Sequence, residues 1–290
     1  MARMWRCAGL RWDAAGTPVL GWEGGRGSVL APGKRIAFAV AAGTERTCVG
    51  ARGNACPVRA AVPGRRTAAR CEECARLDRA HSVAADTAPD DPRPYHVYLA
   101  WFGPGMLKVG ITAVERGRAR LLEQGAVAFC LLGRGPLMAA RRAEELLRTA
   151  LGVPDRIPYD AKRAVRTRLP GASERAAELR ELHARASARG EWPESLLRLP
   201  FAAADHEDVF GLDRLRPAVG AVGELVPGGA VGGELLAAAG PDLHLDTARG
   251  VVVLDTRLLP GWELTAADAA ADGVPEVPVR EFGGVQDGLF

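Results

Sequence analysis

The sequence predicts an α+β protein, and three observations carry that prediction. The apolar runs at residues 97–102 and 106–111 are joined by Gly103-Pro104-Gly105, a hairpin signature. Stretches of helical period follow the hairpin. Gly-punctuated, strand-like runs occupy both chain ends. The organisation expected is residues 1–45 as strands, 46–80 as a four-cysteine module, 94–200 as an α/β sandwich with a helical extension, and 215–290 as an acidic β module.

Residues 3–42 alternate short apolar runs with Asp-Ala-Ala-Gly, Glu-Gly-Gly-Arg-Gly and Pro-Gly turns, which fits a small antiparallel sheet or half-barrel. Trp5, Trp12 and Trp22 within it are read as core or sheet-face residues rather than ligand stackers.

Cys48, Cys56, Cys71 and Cys74 follow with the form C-x7-C-x14-C-x2-C. Two thiolates in a tight turn can share an ion, and two such pairs supply the tetrahedral sulfur set that zinc accepts. Four protein ligands leave no open position, so such an ion is structural. Disulfides, a redox pair and unrelated free cysteines are the alternatives. An oxidising compartment is not indicated, because no apolar leader segment opens the chain. His81 is a lesser substitute ligand. Arg46, Arg52, Arg59, Arg65, Arg66 and Arg70 crowd the same segment and suit phosphate. Cys130, in an apolar run, reads as a core thiol.

Residues 84–94 read as a linker. After the hairpin, Thr112 is placed to cap a helix over residues 113–124, with Gly125 ending it. Residues 126–132 form a third strand. A helix then runs from Pro136 to Leu151, closed by Gly152. Residues 156–198 read as helical and charged. The tail from Pro217 reads as Gly-punctuated strands of a small β-barrel or sandwich, which the N-terminal strands can complete. Asp242, His244, Asp246 and Asp255 are strand and turn positions there rather than metal ligands.

Charge is segregated. Residues 1–79 hold 14 basic against 6 acidic side chains, and residues 201–290 hold 5 against 15. A basic front favours a polyanionic partner, and the acidic C-terminal module offers a contact surface for a protein. Only Lys34, Lys108 and Lys162 among the 38 basic residues are lysine, which marks Lys108 in the hairpin. No apolar run reaches the roughly 18 residues of a membrane span, so a cytoplasmic protein is expected.

Tyr98 and Lys108 lie ten residues apart across the hairpin, ahead of a basic helix and of Glu144 in an Ala-rich helix. This resembles the GIY-YIG nuclease superfamily. Val97-Tyr98-Leu99 stands at its Gly-Ile-Tyr, and Lys108-Val109-Gly110 at its Tyr-Ile-Gly. Residues 46–170 are also similar to an uncharacterised prokaryotic family that joins a cysteine cluster to a GIY-YIG-like domain with a Lys-Val-Gly-Ile-Thr motif. The resemblance implies a three-stranded sandwich and metal-assisted phosphodiester hydrolysis. Tyr98 would be general base, Arg120 (or Arg118) the phosphate clamp, and Glu144 (or Glu145) the carboxylate for Mg²⁺ or Mn²⁺. Lys108 replaces the second tyrosine, and the late asparagine is missing, since Asn54 is the chain's only Asn. The expectation is therefore a zinc-containing protein that binds DNA or RNA on a divergent GIY-YIG-like face. Endonuclease and non-catalytic scaffold are the alternatives.

Overall fold

The computed structural model describes residues 3–80, 91–154, 156–267 and 276–282. His81, residues 84–90 of the expected linker and residues 283–290 lie outside the described residues. The described part is mixed α and β, with two sheets and a smaller helical share. It forms two compact units.

The first unit comprises residues 1–11, 17–84 and 214–290. Its N-terminal strands are β1 (Trp5–Trp12), β2 (Pro18–Trp22), β3 (Gly27–Val29) and β4 (Arg35–Val40), and helix α1 (Glu72–Ala80) closes the cysteine segment. The second unit comprises residues 12–16 and 85–213. It contains β5 (Pro94–Trp101), β6 (Leu107–Ala113), α2 (Ala119–Gln124), β7 (Ala128–Pro136) and α3 (Leu137–Leu151). It continues through α4 (Tyr159–Val165), α5 (Ala172–Ser187), β8 (Leu197–Arg198), β9 (Ala203–Asp205) and α6 (Glu207–Phe210). The chain then returns to the first unit as β10 (Ala218–Val222), β11 (Ala230–Ala239), β12 (Asp242–Thr247), β13 (Gly250–Asp255), β14 (Glu263–Thr265) and β15 (Val279–Glu281).

In the first unit ten strands form one sheet, ordered β15-β10-β13-β12-β11-β4-β14-β1-β2-β3. Strand β4 pairs with β11, opposing Phe38 to Val231, and β14 joins β4 to β1. Residues from opposite ends of the chain thus share one ladder. The strands β11 to β13 are buried on both faces, with Leu235, Leu243, Leu245, Val251, Val252, Val253 and Leu254 almost completely covered. Asp242 and His244 are β12 positions, and Asp255 ends β13, where its carboxylate holds Arg257 (2.6 Å).

In the second unit the sheet runs β6-β5-β7-β8, with β9 also on β7. The expected three strands are joined by two more. Residues 192–198 were expected to be helical, but Pro193 and Pro200 leave room only for the short β8, which pairs Leu197 with Arg134. Strand β9 is fixed by Arg175 on α5, whose buried guanidinium bonds Asp205 (2.8 Å) and Glu207 (2.6 Å). Strand β5 is central, and both its faces are covered. Its apolar run is continuous because no face meets water. Helices α3 and α5 pack on the sheet, while Tyr98, Ala100 and Phe102 cluster with Leu121, Ala126 and Ile157.

The expected helix over residues 113–124 is broken. Val114–Arg116 form a 3₁₀ turn, Gly117 leaves helical geometry, and α2 begins at Ala119. Thr112 is a buried β6 residue instead of a cap. Gly125 and Gly152 end α2 and α3 in the left-handed conformation, as their positions predict. No described helix is long and apolar enough to cross a membrane.

Candidate functional site

The cysteine module is built from two loops and a helix start. Gly50 turns the first loop with φ +81, and a Cβ there would meet the Asn54 carbonyl at 1.9 Å. Only glycine permits that approach. The turn aims the Gly50 N–H at Cys48 Sγ (3.3 Å), and the Cys71 N–H donates to the same sulfur (3.2 Å). In the second loop the Ala60 N–H, helped by that of Val58, lowers the Cys56 thiol to about 7. Cys71 precedes α1 and Cys74 sits in its first turn. Burial and the neighbouring sulfurs push the Cys74 thiol upward.

All four sulfurs lie within 4.8 Å of one another, and no disulfide joins them. A tetrahedron with metal–sulfur bonds of about 2.3 Å has sulfur–sulfur edges of about 3.8 Å. The donor set therefore fits a soft divalent metal such as zinc. Backbone donors aimed at the sulfurs favour thiolates. The crowding of four thiols favours a cation among them.

Arg46 anchors this module. It was expected among the phosphate-facing arginines, but it is buried, and its guanidinium donates to the carbonyls of Pro260 (2.9 Å), Arg257 (3.0 Å), Pro63 (3.0 Å) and Arg66. Four carbonyl acceptors offset its desolvation. Arg70 is likewise engaged, by the Gly50 carbonyl (2.9 Å) and Asp78 (3.3 Å). Arg52, Arg59, Arg65 and Arg66 point to solvent. Among the described residues, Arg52 (φ 54) and Arg59 (φ 44) are the non-glycine positions with left-handed backbone, one in each cysteine loop.

In the second unit Tyr98 opposes Gly110, and Ala100 opposes Lys108. The strand period therefore puts Tyr98 and Lys108 on the same face of the hairpin. The Tyr98 ring covers Gly110 so closely that a Cβ there would meet Cζ and Oη at 2.4 Å. Tyr98 is 1 % exposed and its hydroxyl accepts from Gln124 Nε2 (2.9 Å). Lys162 Nζ, buried over the Phe102 and Tyr159 rings, donates to the Gln124 carbonyl (2.9 Å). Sequence reasoning missed Gln124 as the partner of Tyr98 and Lys162 as the partner of the Gln124 carbonyl; the scarcity of lysine was the one signal.

Burial raises the Tyr98 phenol above its ordinary value. Arg120 and Arg116 pull it down and Glu144 pushes it up, so these three charges lie within electrostatic reach of the hydroxyl. Arg116 and Arg120 are exposed and share Glu123 (2.7 and 3.8 Å). Arg118 spends its guanidinium on the Ala15 carbonyl (2.6 Å). Glu144 is half-buried on α3, and Glu145 is exposed and pairs with Arg148 (2.6 Å). Among the described residues, the group of three or more Cys, His or acidic side chains gathered for an ion is the four-cysteine set, which does not include Glu144.

A family model described as "Protein of unknown function (DUF2797)" matches residues 33–264. Neither a curated protein nor a solved structure matches the chain.

Proposed function

The chain belongs to the DUF2797 family of proteins of unknown function, and we propose that it is a zinc-stabilised nucleic-acid-binding protein. One observation carries this reading: exposed arginines stand at left-handed positions in both loops of the four-thiol centre. A left-handed backbone costs a residue with a Cβ about 1 kcal/mol or more, which glycine would avoid. Strain of this kind persists where the side chain is used. A guanidinium fork fixed on a rigid loop suits a phosphate oxygen pair.

Cys48, Cys56, Cys71 and Cys74 would hold the zinc as thiolates. The ion would close the two loops on α1 and so hold Arg52 and Arg59 apart at a set spacing. With four protein sulfurs it has no open position, and its contribution is structural. The hairpin unit offers a second phosphate contact through Arg116 and Arg120. Its ββαβα order and the positions of Tyr98, Lys108, Arg120 and Glu144 support a divergent GIY-YIG-like core.

Cleavage is the second reading, favoured by the electrostatic closeness of Tyr98, Arg120 and Glu144. Burial of the phenol opposes it, since a base needs to release its proton readily. Fluorescence anisotropy with labelled single-stranded and duplex DNA and RNA at low salt tests the proposal. Binding that weakens steeply with salt supports it, and no binding to any of the four contradicts it. Mg²⁺- or Mn²⁺-dependent nicking lost in Glu144→Ala would replace binding with hydrolysis.

A further inference from the structure

The first unit contains a cleft of about 760 Å³ that the metal centre does not use. Strands β1, β2, β4 and β14 form its floor. Trp5, Trp22 and Phe38 line it, with Arg3, Arg26 and Glu23 around them. The sequence suggested that all three N-terminal tryptophans are packing residues. Trp12 is indeed buried, edge-on to Phe210 (5.2 Å), whereas Trp5 and Trp22 are half-exposed.

We infer that this cleft takes a segment of single-stranded nucleic acid, stacking a base on the indoles of Trp5 and Trp22. The inference deepens the proposed function and rests on it. The two indole centroids lie 6.5 Å apart at 46°, a splayed pair. Trp22 Nε1 is already bonded to Ser28 Oγ (2.8 Å), which fixes the ring and leaves its face for contact. The Arg3 guanidinium lies 5.9 Å from the Trp5 ring centroid. A cation over an aromatic face is also a platform for a base and its phosphate.

The charges favour a nucleotide chain over a purely apolar ligand. Arg6 is neutralised by Glu263 across the β1–β14 ladder. Arg26 is exposed, and no carboxylate pairs with it among the described residues. Arg3 and Arg26 are therefore the cations left for phosphate. Glu23 is a negative rim group, and its carboxylate can accept from an exocyclic amino group of a base. A duplex hides its base faces, so the aromatic floor selects a single strand.

The test is anisotropy with a labelled single-stranded dodecamer and with its duplex, on the zinc-loaded full chain. Variants are Trp22→Leu, Trp22→Phe, Arg26→Ala and Arg52→Gly with Arg59→Gly. The expected result is about a tenfold loss of single-strand affinity in Trp22→Leu, with Trp22→Phe near wild type and duplex affinity unmoved. Arg26→Ala, a surface change that leaves the fold intact, weakens strand binding severalfold. The strand should also quench tryptophan fluorescence, less so in Trp22→Phe. Wild-type binding that neither Trp22→Leu nor Arg26→Ala alters overturns the cleft while leaving the loop arginines standing. Competition by a mononucleotide as strongly as by the strand overturns the strand as occupant. Absence of all binding overturns the parent reading itself.

Discussion

Tyr98 and Gly110 oppose one another across the β5–β6 ladder, with no room on Gly110 for a Cβ, which would lie 2.4 Å from the Tyr98 Cζ and Oη. The glycine is what lets a buried phenol lie flat across the hairpin. Gly110→Ala should destabilise the protein by about 1–3 kcal/mol through overpacking. Adding Tyr98→Leu should recover part of that loss. Urea unfolding of the two singles and the double measures the coupling, and strictly additive effects would contradict the contact.

Tyr98→Phe separates packing from chemistry. It removes the bond from Gln124, at a cost of about 1 kcal/mol, and should leave nucleic-acid affinity within twofold. The folded state holds the Tyr98 proton more tightly than the unfolded chain does. Stability from this group is therefore full below the ordinary tyrosine value of about 10 and falls as pH rises beyond it, where only the unfolded phenol ionises. Unfolding curves between about pH 10 and 11 should show a shallower fall in Tyr98→Phe than in the wild type.

Local signals were legible in the chain. Gly103-Pro104-Gly105 marked the hairpin, and Gly125 and Gly152 marked helix ends, because turn and cap chemistry depends on neighbours in sequence. The cysteine spacing gave the four-thiol set, whose ligands span only residues 48–74. What depends on distant partners was not legible. The β4–β11 ladder joins residues about 200 positions apart, and no local pattern encodes it. Arg46 sits in an arginine-rich run like its neighbours. Only the carbonyls of Pro260 and Arg257 distinguish it as buried. Tyr98 lies in a continuous apolar run, where period cannot tell an open face from a covered one.

Metal analysis of the purified chain should give about one zinc per molecule, since one four-sulfur set holds one ion. Cys71→Ser with Cys74→Ser should abolish retention and lower the melting temperature. Zinc below half an equivalent in freshly purified protein, or full retention in the double variant, would count against the centre.

Arg46→Met keeps much of the side-chain volume but removes the guanidinium donor from the Pro260, Arg257 and Arg66 carbonyls, while Pro63 keeps the Arg66 N–H. A loss of about 3 kcal/mol or more is expected, together with faster zinc release to a chelator. An unchanged melting temperature and release rate would contradict the anchoring of the module by this residue.

The most direct measurement compares the wild type with Arg52→Gly/Arg59→Gly in salt-dependent binding to a labelled oligonucleotide. Glycine relieves both left-handed positions, so the double variant should be equal or greater in stability and keep its zinc. Its affinity should nevertheless drop. The slope of log K against log salt should shrink by about 1.4 for a single strand and about 1.8 for a duplex, as for two lost phosphate contacts. An unchanged affinity and slope in a folded, zinc-loaded double variant would contradict the account.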